Sequence, residues 1–571
     1  MRFLVLWLVA VLPLCAEVVA VTGARVIDGT GAAPRAATVV IENGRIAAVG
    51  EAVSIPVGAV VVDARGKTLL PGLFDVHTHL LASGGAKDLD WGKILKLYLA
   101  HGITTVADMS TYPEQFEPMR ALIAQGLPAP RVLMAGRFST PGGHGAEGGR
   151  GDFHTQIVQT PREAREAVRR FAAYKPDVIK VFTDGWRYGT DTDMTSMDEE
   201  TLKALVEEAH RFGLKVVSHT VSMDKAKLAA RAGVDVVNHG IGDADLDPEA
   251  VRLMAEHHTG YVQTLAVYEP KTAKIAEARK RRWAHLMANG PLARNGGVLL
   301  GSGTDAGMPG TPHGASSLHE LELMVQGGLS PLEAISAATL NSARLLGLDS
   351  ERGSITEGKL ADLVLIAGDP AANIADIRKI ERIWLGGREV DRAALLAAAA
   401  RPGPTPLAAA KAQAVLDDFE SADGRSRLGT LWINNTDGGH DHALMSYQVT
   451  PRTSSDHVLS VLAEMTPKDG PYAAMVLPLS KGAVTPVDAS AFAGIEFDAR
   501  GDGEATLQLR GRTGLARTRF QAGPDWKTVR LPFAAFPGAE PAALTALEFT
   551  LSRAAGQKAI LELDNVRFYQ Q

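Results

Sequence analysis

One cysteine in 571 residues, Cys15, rules out a disulfide framework and a thiolate metal site. Charge of a single sign is missing too. The 59 Lys and Arg face 65 Asp and Glu, a net charge of -6, and no long basic run suggests nucleic acid as a partner. Beyond the N-terminus no apolar run is long enough to cross a bilayer. A serine-nucleophile elbow is absent as well, because the G-x-S-x-G-like string "GSGTDAG" lacks its central spacing. What remains is ordinary globular composition, 46% hydrophobic and 22% charged, at a length that suggests several domains.

The N-terminus stands apart. "MRFLVLWLVAVLPLCAE" has an early arginine, about a dozen apolar residues and small residues near Cys15-Ala16, the pattern of a secretory signal over 1–16. The expectation is a secreted or periplasmic protein cleaved near Ala16. Leu14 before Cys15 fits a lipoprotein box badly. Cleavage would remove the one cysteine, leaving His, Asp, Glu or a modified Lys to hold any metal.

Short β-like pieces run over 17–66, with a hairpin signal at Asn43-Gly44, and similar pieces return over 350–395. Between them strands and helices alternate. "LPGLFDVHTHL", "GITTVAD", "RVLMAG", "DVIKVFTDG", "LKVVSHT", "VDVVNHG", "TGYVQTL" and "VLLGSGTDAG" are eight strand candidates. A helix is expected in "SMDEETLKALVEEAHRFG", with Ser196 and Glu199 as capping box, Leu202, Leu205, Val206, Ala209 and Phe212 on one face, and Gly213 as stop. Eight βα units over 67–349 predict a (β/α)₈ barrel, with the flanks pairing into a composite β-sandwich. Residues 396–414, Ala- and Pro-rich, read as a linker, and the strand-like runs of 415–571 as a separate all-β sandwich.

Thirteen of the 16 histidines precede residue 400, and four share one address. His77 and His79 end the first barrel strand, His219 the fifth and His239 the sixth, while Asp305 ends the eighth. Barrel active sites are assembled at that face. Strand residues i and i+2 point the same way, so His77 and His79 project together. Neutral imidazoles and a carboxylate converging at a barrel mouth suit a divalent cation, zinc first. A lone histidine is more often a packing residue; five groups at equivalent strand ends are not explained so. Asp75 reads as structural, orienting the ligands beside it.

Lys180 in "PDVIKVFTDG" is the sharper anomaly, a lysine between Ile179 and Val181 in an apolar strand. It is either a buried ion-pair partner, an ammonium reaching solvent at the mouth, or an amine converted by CO₂ to a metal-bridging carbamate.

Taken in order, "GLFDVHTHL", "VIKV", "SHT", "NHG" and "GTDAG" resemble the amidohydrolase superfamily, in particular its prolidase and imidazolonepropionase-like branch. The resemblance covers about residues 18–395 and implies the barrel with its composite sandwich. It implies that His77 and His79 bind the more buried of two divalent ions, His219 and His239 the other. Carboxylated Lys180 would bridge both, and Asp305 would ligate the first ion and handle protons. The "GGHG" of "FSTPGGHGAEGG" (138–149) would bring His144 over a small-molecule substrate as an oxyanion donor. Tyr268 and His313 are candidate substrate contacts. His101, His210, His257, His258, His285 and His319 receive no role. The implied reaction is hydrolysis of an amide, dipeptide-like or cyclic amide bond by a metal-activated hydroxide, Asp305 passing the proton to the leaving nitrogen. A lactonase or deaminase on the same scaffold, or a vestigial binding protein, are the alternatives. Specificity would reside in the loops 138–154 and 183–194, where Arg187 could meet a substrate carboxylate.

The segment from "VLDDFES" to "LELDNVRFY" resembles the complex I intermediate-associated protein 30-kDa family, a galactose-binding-like jelly roll. It implies an accessory module for a glycan or protein surface. Trp432 and Trp526 are candidate sugar-stacking residues, with core packing the better expectation for each. A homo-oligomer remains open.

Overall fold

Asn43 and Gly44 both adopt positive φ, 51° and 80°, and close a two-residue turn between strands Arg35–Glu42 and Arg45–Gly50. That hairpin belongs to an eight-stranded sheet drawn from both flanks of the central region. Thr68–Pro71 pairs antiparallel with Leu363–Ile366 and so joins the two flanks. The sheet's N-terminal part therefore runs to Pro71, past the predicted boundary at 66, and its core includes Val21, Val39, Ile41, Leu363 and Trp384. The computed structural model describes residues 18–80, 91–146, 154–184, 195–271, 277–400, 407–437, 442–511 and 514–570. The signal segment 1–16, Arg187 and parts of the loops 138–154 and 183–194 lie outside them. Among the described residues no helix is long and apolar enough to cross a membrane.

The eight predicted barrel strands form one parallel series: Leu73–Thr78, Ile103–Asp108, Arg131–Ser139, Val178–Phe182, Lys215–His219, Val236–Asn238, Gly260–Val262 and Leu300–Gly301. Each neighbour in that order is hydrogen-bonded to the next. The first strand closes on the chain after the eighth through Val76 N–H to Ser302 O, 2.9 Å, and His79 N–H to Ala306 O, 2.7 Å. The interior is a packed core of Phe74, Val76, Leu133, Val178, Val217 and Val262, met by Leu345 and Leu346.

The helix expected after the fourth strand spans Glu199–Arg211, but Asp198 is its cap, accepting from Thr201 N–H at 2.8 Å. Ser196 instead accepts from the Lys225 ammonium. Leu202, Leu205, Val206 and Ala209 are buried as expected; Phe212, at the C-cap, is exposed. The stretch 396–414, read as a linker, holds the end of a helix, Arg392–Ala399, and a strand, Ala410–Lys411, that pairs with Val487–Asp488. Beyond it two sheets, of seven and six strands, enclose one core. Trp432 lies in that core and donates to Asp417 at 2.7 Å, while Trp526 is stacked against Arg452 and Arg500. The two halves meet where Arg425 pairs with buried Glu114 at 2.8 Å and Gln115 donates to Gly482 O at 2.9 Å.

Candidate active site

Asp75 sets the frame of the barrel mouth. Its carboxylate accepts from Thr304 Oγ1 and Ser317 Oγ, each at 2.7 Å, and from Thr304 N–H at 3.1 Å, lashing the first strand to the segment that carries Asp305. Close approach there depends on Gly303, where a Cβ would sit 2.9 Å from that of His77. Asp305 and His239 both take positive φ, 60° and 74°, conformations that non-glycine residues hold only where the surroundings impose them.

Those constraints gather the sequence-predicted residues. Asp305 Oδ1 lies 3.3 Å from His77 Nε2 and 2.9 Å from His79 Nε2. The His77 ring is 4.4 Å from that of His239, and His239 is 4.2 Å from His219. One ligand atom each from His77, His239 and Asp305 fit within 4.8 Å of one another. Lys180, on the fourth strand, is 2% exposed. Its ammonium, both nitrogens of His77 and Oδ1 of Asp305 have no hydrogen-bond partner among the described residues. Buried polar atoms are otherwise almost always bonded, so this concentration marks the barrel mouth as a candidate ligand site.

The electrostatics agree with that reading. Burial, aided by the Lys180 charge, pushes His77 down to about 3. Burial likewise holds His219 and His239 well below the usual histidine range, with the neighbouring imidazoles adding to it. Burial also brings Lys180 down to about 7, against the attraction of Asp305. For Asp305 burial opposes ionisation, yet the adjacent His79 and His77 win and hold its carboxyl well below the usual range. Neutral imidazoles, an ionised carboxylate and an amine freed from its proton near neutral pH are the forms that bind cations. With no cysteine among the described residues, the donor set is nitrogen and oxygen, and it fits a divalent metal.

His144, in the loop after the third strand, has its ring 4.2 Å from His219 and 5.1 Å from Phe182. Ser139 Oγ donates to His144 O at 2.7 Å and fixes the turn. Tyr268 ends a short helix, Leu265–Tyr268, and its hydroxyl lies 3.2 Å from His239 Nδ1, beside Thr264 Oγ1 at 3.1 Å. His313 is set further back. It bonds the Tyr98 hydroxyl at 3.0 Å, and burial pushes it down to about 4.

Two buried residues were missed in the sequence. Asp184 follows the fourth strand with Oδ1 3.6 Å from His219 Nε2, and burial pushes it up to about 7. Its place at a strand end was the available signal. Arg137, on the third strand, has its guanidinium 5.1 Å from the Phe182 ring and donates to Gly145 O at 3.2 Å. Like Lys180, it is a charge within an apolar strand.

Comparison with known proteins agrees with this geometry. The model of the amidohydrolase family matches residues 68–390. The chain belongs to the amidohydrolase family. It is thus an enzyme, a hydrolase of carbon–nitrogen bonds. Among its amidohydrolase relatives, the ochratoxinase of Aspergillus niger is 28% identical over 428 residues, 65% of this chain and 86% of that protein. The imidazolonepropionase of Idiomarina loihiensis is 26% identical, covering 62% of this chain and 92% of its own. A solved Xaa-Pro dipeptidase with methionine bound in its active site superposes with a TM-score of 0.57 at 27% identity, over 66% of this chain and all of that one, 100%.

Proposed function

We propose that this amidohydrolase is an exported, metal-dependent enzyme that cleaves an amide, dipeptide-like or cyclic amide bond of a small molecule. The observation that carries the reading is the buried cluster of His77, Lys180 and Asp305, with side-chain atoms that lack hydrogen-bond partners among the described residues, beside three further imidazoles. His77, His79 and Asp305 would hold one divalent ion and His219 and His239 a second, zinc being the best match to the donors. The depressed Lys180 gives its amine a substantial uncharged fraction near neutral pH, the form that adds to CO₂, which supports a carbamate between the two. Such ions supply Lewis-acid activation of water and of the scissile carbonyl.

The chain's own residues do the rest. Asp305, ionised beside two imidazoles, receives a proton at its carboxylate and returns it to the departing nitrogen. His144, anchored by Ser139, donates to the oxygen where negative charge grows. Tyr268 and Thr264 bracket His239 Nδ1 and fix its orientation. His313, tied to Tyr98, belongs to the rim. The apolar segment at 1–16 supports export.

The test is turnover of a panel of dipeptides, N-acyl amino acids, cyclic amides and lactones, before chelation, after it, and after metal is restored. Amide turnover that disappears and returns is expected. Turnover of lactones alone, or amide turnover indifferent to chelation, would contradict the proposal.

A further inference from the structure

The C-terminal sandwich carries a cleft of about 640 Å³ on the outer face of its seven-stranded sheet. Strand alternation builds it. Leu507, Leu509, Leu547 and Phe549 face the core, so the residues that alternate with them, Gln508, Arg510, Glu548 and Thr550, face out and line the cleft. The register sets Arg517, Gln508 and Glu548 directly opposite one another on three adjacent strands, a polar rung across the sheet. Asn435, beyond the next strand and level with Thr550, reaches diagonally to bring its amide nitrogen 3.4 Å from Glu548 Oε1. The cleft thus crosses the strands rather than following an edge.

Glu548 is only 2% exposed although it points away from the core. Arg510 donates to it from Nε at 2.7 Å, and the Gln508 amide donates to Thr550 Oγ1 at 2.9 Å. A carboxylate, two amides, a guanidinium and a hydroxyl are held on the strands, with Leu515 as the one large aliphatic lining side chain and Tyr472 as the one aromatic. That lining offers little to an aliphatic ligand, and a peptide strand added at the edge strand Leu515–Ala522 would pair alongside the sheet and leave the polar rung across its face unused. It does suit a ligand dense in hydroxyl groups, each able to donate to the carboxylate and accept from the amides. The charge adds a second requirement. Arg510 is neutralised by Glu548 and Arg519 pairs with Glu504 at 3.2 Å, whereas Arg517 has no ion-pair partner among the described residues.

We infer that this cleft binds an acidic oligosaccharide, its hydroxyls on Gln508, Glu548 and Asn435 and a uronate carboxylate on Arg517. The inference is independent of the barrel chemistry.

Calorimetric titration of the full-length protein tests it, with an oligogalacturonate as probe, the matching neutral galacto-oligosaccharide, and a poly-glutamate peptide. Saturable, salt-sensitive binding of the oligogalacturonate alone is expected. Arg517→Ala and, separately, Gln508→Ala should each weaken it about fivefold or more while leaving thermal unfolding unchanged. Absence of oligogalacturonate binding, equal binding of the neutral sugar, equal binding of the peptide, or full affinity in both variants would each overturn it.

Discussion

The barrel mouth and the cleft of the C-terminal sandwich both place ionisable side chains on β-strands, yet they treat them in opposite ways. Glu548 is buried and held by Arg510; Lys180 is equally buried and its ammonium has no hydrogen-bond partner among the described residues. An ionisable group out of water costs several kcal/mol unless it is partnered or gives up its charge. The sandwich satisfies that demand internally, through the Arg510–Glu548 pair. The barrel meets part of it by weakening the hold of Lys180 and His77 on their protons, and the proposed cation would meet the remainder. One region balances its buried charge within the chain; the other would be completed by the proposed ligand.

The sharpest way to break this contrast is mutation within the barrel. Asp305→Asn should lower kcat by about a thousandfold or more, since it removes a cation ligand and the proton carrier together. Steady-state kinetics on any amide substrate reads this, and an effect under about tenfold would show that Asp305 does no chemistry. Next in size is chelation. Removing metal should lower the midpoint of the barrel's unfolding by several degrees, ~5 °C or more, and leave that of the sandwich in place, as differential scanning calorimetry can resolve. Equal shifts in both regions would erase the distinction.

Breaking the sandwich's own pair should be milder. Glu548→Ala leaves Arg510 without its partner and should cost about 1–3 kcal/mol in the sandwich transition with kcat unchanged. A pH series on metal-free protein gives the smallest and most specific effect. The folded Lys180 titrates near 7, against 10.5 for an ordinary lysine. Between those values the unfolded chain binds more protons, so this residue makes stability rise with pH from about 7 to 10.5. Wild type should therefore gain on Lys180→Met across that window in urea denaturation. A constant difference would mean that Lys180 carries its charge when folded.

Much of the barrel was legible because its signals are local. Period-two alternation and a polar residue at each strand end need only a few neighbours in sequence, which is why His77, His79, His219, His239 and Asp305 could be gathered before any coordinates. Lys180 stood out because an apolar strand on either side leaves a charge no surface to reach. Asp184 obeys the same strand-end rule but was hidden by the turn-like string "TDG" around it. Arg137 was hidden because arginine's long stem lets it leave an apolar strand for a distant partner, here Gly145 O. Asp198 displaced Ser196 as helix cap because both residue types cap well and only the tertiary contact with Lys225 decides between them. The cleft was beyond reach of local reading altogether. "ATLQLRGR" shows which residues face out, but only the long-range register reveals that Gln508 stands between Arg517 and Glu548.

The central claim is that the unpartnered groups at the barrel mouth are cation ligands. Elemental analysis by mass spectrometry of active, full-length protein, beside His77→Ala, tests it most directly. Two divalent metal equivalents per chain are expected in wild type, falling with activity in the variant. Active wild-type protein carrying no stoichiometric metal would contradict it.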